Sequence, residues 1–262
     1  RGTGRLPEPD RIEVQDEDGQ TRRVTAKRVL LATGSEPIAF PGVPFDEERV
    51  LSSTGALSLN EVPNHLVVIG AGPIGLELGS VWLRLGAKVT VLEMMPTILP
   101  GTDEEIVKAA ERVYRKQGFE FRTGVRVQGV EKRDNGVTVP VEGGEPANGD
   151  RVLVAIGRRP NTEALGVSRM GVKLGPRGAI VVDDRYHTGV GEVYAIGDAI
   201  GGFLLAHKAS EEGVAAVENM VGKPGHLNYD AVASVVYTSP EVASVGKTET
   251  QLRAEGREIR VG

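Results

Sequence analysis

The sequence of 262 residues contains no cysteine. Its absence excludes disulfide bonds, thiolate metal sites and a cysteine nucleophile from these residues. Aromatic residues are scarce at 4%, and no apolar run approaches the roughly 20 residues that a membrane-spanning helix needs. The net charge of -5, with both signs interspersed, argues against nucleic acid or an anionic membrane surface as a partner.

The first residues, RGTGRLPEPD, lack the apolar core of a signal peptide, so we expect no export. They also lack an initial Met, from which we expect a piece of a longer chain. Charged residues make up 26% and apolar residues 40%, which is typical of a globular protein. Glycine is abundant, with 35 residues, and this excess favours tight turns and close approach of the backbone to a ligand.

One ten-residue pattern occurs twice. Residues 28–37 read RVLLATGSEP and residues 151–160 read RVLVAIGRRP, with six identical positions at an offset of 123. Each copy is an apolar run of β-formers closed by glycine and then proline, which is typical of a buried strand entering a turn. The repeat predicts two nucleotide-binding domains of one design. The first copy has only the meander and closing strand of that design.

The second copy closes a complete pattern that starts near His65. The run LVVIG (66–70) predicts a buried parallel strand. Residues 70–86 predict a helix that turns Leu76, Trp82 and Leu83 inward, and KVTVLE (88–93) predicts a second strand. An amphipathic helix follows at 103–118, then a strand region that turns at 134–136. Strand, helix, strand, helix, strand, meander and strand form a doubly wound dinucleotide-binding plan.

The segment GAGPIG supplies Gly70, Gly72 and Gly75 between the first strand and its helix. In that context Gly70 permits a tight turn, Gly72 lets a pyrophosphate reach the backbone, and Gly75 lets helix and strand pack closely. The free N–H groups at the helix start would hold the phosphates, and Pro73 fits the first turn. A packing loop without a ligand is the alternative interpretation.

An acidic residue, Glu93, ends the second strand 18 residues after Gly75. A carboxylate there accepts the ribose hydroxyls of NAD and repels the 2′-phosphate of NADP. The following residues, MMPTILPG, contain no Arg or Lys to pair with such a phosphate. The sequence therefore predicts NAD rather than NADP.

A third segment, residues 193–222, places Asp198 between the strand-like YAIG and a long helix that starts near Leu204. Aspartate at such a position commonly hydrogen-bonds loop amides, so this residue alone leaves a ligand role and a structural role open. His207 likewise fits an ordinary helix histidine.

The segments ATGS, GAGPIGLELG, AIGRRPN, YAIGDA, LLAHKASEEG and YTSPEVASVGKTE, with the strand-end Glu93, occur in the order seen in one family. Together they resemble the flavin-dependent pyridine-nucleotide disulfide oxidoreductases, and AHKASEEG favours the lipoamide dehydrogenase branch. The resemblance covers essentially the whole chain. It implies FAD and NAD as cofactors and an enzyme that oxidises dihydrolipoamide on the lipoyl domain of an acyltransferase in a 2-oxoacid dehydrogenase complex. It also implies a homodimer.

The resemblance also assigns binding roles. The NAD residues it implies are Gly70, Ala71, Gly72, Pro73, Ile74, Gly75, Leu76, Glu77, Glu93, Val127 and Gly157. Among them Glu77 lies near the nicotinamide ribose, Val127 near the adenine and Gly157 near the nicotinamide. The FAD residues it implies are Gly4, Thr33, Gly34, Ser35, Asp198, Leu204, Leu205, Ala206 and His207, with Asp198 on the ribityl chain. Arg158 and Arg159 are expected in structural ion pairs.

The predicted fold is an α/β NAD-binding Rossmann-like domain with a β-meander, the second half of a similar FAD-binding domain and the start of an α+β interface domain. The expected divisions are 1–59 (partial FAD-binding domain), 60–183 (NAD-binding domain), 184–226 (return to the FAD-binding domain) and 227–262 (interface domain). We expect no catalytic residue and no metal site in this chain, because the family's cysteine pair and its acid–base histidine and glutamate lie in segments outside it.

Two classes of function remain open at this point. The first is a portion of a lipoamide dehydrogenase, cytoplasmic in a bacterium or in the mitochondrial matrix of a eukaryote. The second is a non-catalytic remnant that binds NAD. A sister flavin disulfide reductase or a transhydrogenase is a further alternative.

Overall fold

A computed structural model of the protein describes residues 2–262. The strands are β1 (Thr3–Glu8), β2 (Arg11–Gln15), β3 (Thr21–Thr25), β4 (Val29–Leu31), β5 (Ser35–Pro37), β6 (Val50–Leu51), β7 (His65–Ile69), β8 (Lys88–Glu93), β9 (Glu120–Thr123), β10 (Glu131–Arg133), β11 (Gly136–Val139), β12 (Ala147–Gly149), β13 (Arg151–Val154), β14 (Arg158–Pro160), β15 (Val193–Ala195), β16 (Ala233–Val236) and β17 (Val242–Val245). The α-helices are α1 (Ser53–Ala56), α2 (Pro73–Arg84), α3 (Glu104–Gln117), α4 (Ala206–Met220) and α5 (Glu249–Ala254).

The chain forms two compact units. The first unit comprises the described residues up to Glu36 together with Arg158–Tyr229, and the second comprises Pro37–Gly157 and Asp230–Gly262. The expected domain divisions at 59/60, 183/184 and 226/227 stay a prediction, and the compact units divide at 36/37, 157/158 and 229/230. Residues 37–59 join the second unit because β6 pairs with β13 of its sheet, whereas β14 after Gly157 already belongs to the first unit.

The second unit is built on a five-stranded parallel sheet in the order β6-β13-β7-β8-β9. Leu66, Val67 and Val68 of β7 are completely buried, since apolar residues cover both faces of this central strand. The chain order β7, α2, β8, α3, β9, meander and β13 confirms the predicted doubly wound plan.

The two long helices of this unit lie within the predicted ranges 70–86 and 103–118, and α2 begins three residues after the predicted start. Helix α2 has Pro73 in its first turn and buries Leu76 and Trp82 against the sheet, with Leu83 partly buried. Helix α3 carries acids at its start and bases at its end, which favours both ends of the helix dipole. It stops at Gly118, whose φ of 113° is left-handed and suits glycine.

A three-stranded antiparallel meander, in the order β10-β11-β12, lies between β9 and β13. It turns at residues 134–136 as predicted. Its buried residues Val137 and Val139 share a core cluster with Val67 and Val152 of the parallel sheet. The meander therefore covers one face of that sheet.

The C-terminal segment of the second unit forms the hairpin β16–β17 and the capped helix α5. The buried Tyr114 hydroxyl of α3 lies 2.6 Å from the Thr238 hydroxyl, and Val236 and Val242 join the core cluster of α2 and α3. This segment is thus anchored to the Rossmann-like part by both apolar and polar contacts.

The first unit contains the antiparallel sheet β1-β2-β3, the parallel pair β4–β15 and helix α4. Val29 and Leu31 of β4 pack with Val193 and Ala195 of β15 in one core cluster. Beside them, Thr33 donates a hydrogen bond to the carbonyl of Asn161 at 2.7 Å. The first copy of the repeat therefore contacts Asn161, the residue that follows the second copy.

No helix within residues 2–262 combines the length and the apolar character needed to cross a membrane.

Candidate functional site

A cavity of about 510 Å³ lies in the second unit at the carboxyl ends of β7, β8 and β13. Such an edge is where open α/β sheets bind ligands. The lining is apolar apart from the glycine loop and two charged residues, Glu93 and Arg126. The lining residues are Phe40, Ile69, Gly70, Gly72, Pro73, Ile74, Leu92, Glu93, Met94, Pro100, Val125, Arg126, Val127, Ala155, Ile156 and Gly157.

The three loop glycines have different surroundings. A Cβ on Gly70 would lie 2.4 Å from the carbonyl oxygen of Ala155, and its φ of 105° is left-handed. A Cβ on Gly75 would lie 2.1 Å from the carbonyl oxygen of Gly70. A Cβ on Gly72 would meet nothing within 4 Å. Gly70 and Gly75 are therefore required by the fold, whereas Gly72 opens the loop toward the cavity.

Gly72 is also the N-cap of α2 and makes no side-chain cap. The first amides of the helix consequently have no capping side chain and are suited to an anion. Pro73 removes one of the donors, as a first-turn proline does. The open space, the helix N-terminus and the cavity together fit the pyrophosphate of a dinucleotide.

Glu93 is almost buried, with 9% of its surface exposed. One carboxylate oxygen accepts a hydrogen bond from the Ala71 amide and the other from the Met95 amide, both at 2.7 Å. These two bonds fix the carboxylate at the cavity wall, and each oxygen keeps a further lone pair. This geometry fits an acceptor for ribose hydroxyls.

The remaining residues predicted to bind NAD fall into three groups. Val127 and Gly157 line the cavity with Ile74, and the Gly157 carbonyl accepts a hydrogen bond from the Ile38 amide at 3.0 Å. Ala71, Gly75 and Leu76 are buried behind the wall. Glu77 lies outside the lining, and its carboxylate accepts a hydrogen bond from the Tyr237 amide at 2.9 Å.

In the first unit, Asp198 lies in the short 3-10 helix Gly197–Ile200 after β15. Its carboxylate accepts a short hydrogen bond from the Ser35 hydroxyl, which in turn accepts one from Arg158 at 2.7 Å. Arg159 forms the expected ion pair, with Glu36 at 2.6 Å. Arg158 was expected in an ion pair too, but its bonds in the structure go to the hydroxyl and carbonyl of Ser35.

Of the other residues predicted to bind FAD, only Gly4 and Thr33 line a groove of about 920 Å³ in the same unit, and Gly34, Leu204, Leu205, Ala206 and His207 lie outside its lining. A Cβ on Gly4 or Gly34 would meet nothing within 4 Å, so both leave room for a ligand. Leu205 is the N-cap of α4, Ala206 is its first residue, and Leu204 and His207 are exposed. The start of α4 therefore has no capping side chain, as at α2.

A buried ion pair supports the loop that carries Asp198, and neither partner was predicted to have a role of its own. Lys208 and Glu212 of α4 lie 3.1 Å apart with 1% and 0% of their side chains exposed. Glu212 accepts hydrogen bonds from the Gly197 amide and the Tyr229 hydroxyl, and Lys208 donates to the Gly197 and Gly201 carbonyls. Burial and the Glu212 carboxylate raise the pKa of Tyr229 strongly, so Tyr229 remains a donor.

No cluster of three or more metal-ligating side chains occurs in the described part of the chain.

Two family models match this chain. The family model described as pyridine nucleotide-disulphide oxidoreductase matches residues 5–213, and the model of the dimerisation domain of that family matches residues 232–262. The family uses FAD and NAD, which confirms the two predicted cofactors.

Individual relatives match along the whole chain. The chain is 49% identical to the mitochondrial dihydrolipoyl dehydrogenase of Pisum sativum, covering 100% of this chain and 53% of the relative. It is 48% identical to dihydrolipoyl dehydrogenase 3 of Pseudomonas putida, covering 100% of this chain and 57% of the relative. The crystal structure of LpdA from Mycobacterium tuberculosis superposes with a TM-score of 0.91 at 31% identity, covering 99% of this chain and 58% of that one.

The chain thus spans about half the length of the curated relatives it matches. The match of the family model over most of the sequence, the doubly wound sheet and the identity to dihydrolipoyl dehydrogenases agree with the predicted resemblance. The chain belongs to the pyridine nucleotide-disulphide oxidoreductase family and is most like its lipoamide dehydrogenases.

Proposed function

We propose that this chain is the NAD-binding portion, with part of the FAD-binding portion, of a dihydrolipoyl dehydrogenase. The observation that supports it most is the cavity at Gly72, where the open glycine, the helix N-terminus and the fixed Glu93 carboxylate face one space. The identity to dihydrolipoyl dehydrogenases over the full chain favours this branch of the family.

In this proposal each unit has a separate task. The amides at the start of α2 bind the NAD pyrophosphate, Glu93 accepts the adenosine ribose hydroxyls, and Val127 packs beside the adenine. The apolar wall around Ile156 and Gly157 excludes water from the nicotinamide end. In the first unit Asp198 accepts the ribityl hydroxyls of FAD, with Ser35 and Arg158 holding its carboxylate in place.

The bound cofactors supply the chemistry of hydride transfer, and the protein supplies their binding and orientation. None of the 262 residues is a cysteine, so the thiol exchange with the dithiol substrate is assigned to other parts of the protein. The proposed substrate is dihydrolipoamide on a lipoyl domain, and the proposed assembly is a homodimer through the segment that matches the dimerisation domain. The proposed location is the bacterial cytoplasm or the mitochondrial matrix.

The test is to express this chain alone and titrate it with NADH. We expect saturable quenching or a shift of NADH fluorescence and no bound flavin, because these residues contain one glycine loop of the GxGxxG type and a second diphosphate needs its own. A yellow preparation with stoichiometric flavin would contradict the division of tasks.

The alternative is a non-catalytic NAD-binding remnant, and the coding sequence upstream of Arg1 distinguishes it from the dehydrogenase. A second GxGxxG loop followed by a spaced cysteine pair supports the dehydrogenase. A start codon at or just before Arg1 supports the remnant. The same upstream segment distinguishes a sister disulfide reductase.

A further inference from the structure

Two charged residues line the cavity of the second unit, and their surroundings differ sharply. Glu93 is nearly buried and bonded to two amides. Arg126 is exposed, and its guanidinium forms no ion pair or hydrogen bond with any residue in the range 2–262. The cavity therefore offers a ligand one fixed anion and one cation that no protein group engages.

The backbone that carries Arg126 is held firmly on both sides. The Gly124 amide donates to the Met95 carbonyl at 2.9 Å and the Val125 amide donates to the Glu93 carbonyl at 3.0 Å. The Arg126 carbonyl accepts a hydrogen bond from the Glu142 amide of the meander at 2.9 Å. The start of the Arg126 side chain is thus fixed next to the Glu93 strand end, while its guanidinium stays free to adjust.

The order of the strands places Arg126 relative to a bound dinucleotide. The glycine loop follows β7, Glu93 ends β8, and residues 125–127 follow β9, and these strands are consecutive in the parallel sheet. Their carboxyl ends lie about 4.8 Å apart. A dinucleotide with its pyrophosphate at the glycine loop and its ribose at Glu93 places its base at the end of β9.

Resting on the proposed NAD function, we infer that Arg126 stacks on the outer face of the adenine and clamps it against the apolar wall near Val127. A guanidinium is planar, weakly hydrated and well suited to stacking on aromatic faces. The strand order places Glu93 between the start of α2 and Arg126. The amides at the start of α2 supply the donors for the pyrophosphate, so Arg126 is not needed for that group. Arg126 is therefore a binding residue for the base, and its role was not predicted from the sequence.

The experiment compares Arg126→Ala with the wild-type chain in titrations with three ligands. NADH contains both halves, ADP-ribose lacks the nicotinamide, and reduced nicotinamide mononucleotide lacks the adenosine. We expect Arg126→Ala to raise the Kd of NADH and of ADP-ribose in parallel by roughly three- to tenfold, the range for a partly exposed cation–π contact. The Kd of the mononucleotide should not change.

Two controls make the result specific. Arg133→Ala removes an exposed arginine that is paired with Glu131 on the meander and does not line the cavity, so it should leave all three Kd values unchanged. Arg126→Lys keeps the charge but lacks the planar group, and it should recover less than half of the lost affinity in logarithmic terms.

The possible outcomes are distinguishable. Unchanged ADP-ribose binding by Arg126→Ala would overturn the inference, as would an equal loss for the mononucleotide. In a further titration with NADPH, a loss of affinity confined to that ligand would show that Arg126 pairs with a 2′-phosphate and would also overturn the inference. Failure of the wild-type chain to bind NADH or ADP-ribose would instead contradict the proposed function.

Discussion

Arg158 donates hydrogen bonds to the hydroxyl of Ser35 at 2.7 Å and to its carbonyl at 2.6 Å, although the two residues are 123 positions apart. That separation equals the offset of the sequence repeat, so equivalent positions of the two copies contact each other. The next pair, Arg159 and Glu36, repeats the relationship as an ion pair. The repeat therefore marks both a shared domain plan and the place where its two copies meet.

The first prediction compares these neighbouring arginines. Arg158→Met removes two charge-assisted hydrogen bonds from a half-buried site, and we expect it to lower the free energy of unfolding by about 1.5–3 kcal/mol. Arg159→Met breaks an exposed ion pair and should cost less than about 1 kcal/mol. Urea unfolding of both variants measures the difference. Equal losses would show that the Ser35 contact contributes no more than a surface pair.

The second prediction concerns the charge of Glu93. Glu93→Gln keeps the shape of the side chain but removes its negative charge and one acceptor oxygen. Because a carboxylate repels a 2′-phosphate, we expect the ratio of the NADPH and NADH dissociation constants to fall by roughly tenfold or more. Fluorescence titrations with both ligands measure it.

Its matched control is Glu142→Gln, which removes the same charge from an exposed residue outside the cavity lining. This variant should keep the wild-type ratio. An unchanged ratio in Glu93→Gln would contradict the assignment of Glu93 as the residue that selects NAD.

The third prediction concerns the buried pair under the Asp198 loop. Lys208→Met leaves the Glu212 carboxylate buried without its cation and also removes donors from the Gly197 and Gly201 carbonyls. We expect a loss of about 3–5 kcal/mol in the free energy of unfolding. Arg28→Met, which breaks the exposed pair with Glu192 in the same unit, should cost less than about 1 kcal/mol. Losses of similar size would show that burial of the Lys208 pair is energetically unimportant.

The fourth prediction is a pH dependence at Asp46. Burial alone would raise the pKa of Asp46. Hydrogen bonds from the Lys132 ammonium and from the amides of Val50, Glu48 and Arg49 lower it by more than burial raises it, so the pKa lies well below its ordinary value. The stability contributed by this group is present above about pH 4 and lost as the pH falls below it.

Asp46→Asn tests this dependence because it removes the charge and keeps an acceptor for the amides. The difference in Tm between the wild type and the variant should be full near about pH 6 and should shrink as the pH falls below about 4. A difference that is constant over this range would contradict a lowered pKa of Asp46 in the folded state.

The sequence predicted the second unit well because its signals are local. The apolar run of β7, the glycine loop and the amphipathic α3 each indicate their own structure within a few residues. The unit boundaries at Pro37 and Gly157 were not predictable in the same way, since they depend on which sheet β6 and β14 join.

The candidate site was also predicted only in part. Gly72 and Glu93 have a characteristic spacing, and both line the cavity. The bond between Glu77 and the Tyr237 amide, the Lys208–Glu212 pair and the position of Arg126 arise from contacts that no short motif specifies. AHKASEEG contained a signal for the buried pair, because Lys208 and Glu212 are four residues apart on one helix face.

The most direct measurement is NADH binding by the Gly72→Val variant of this chain. The backbone at Gly72 has an ordinary φ of -76°, and a Cβ there meets no atom within 4 Å, so the variant should fold with unchanged urea unfolding. Gly144→Val is the control, since that exposed glycine lies outside the cavity and has room for a Cβ. The expected result is NADH binding by the wild type and by Gly144→Val, with a loss of at least about tenfold in Gly72→Val because the side chain occupies the place of the pyrophosphate. Equal NADH affinity in all three proteins would contradict a dinucleotide site at this loop.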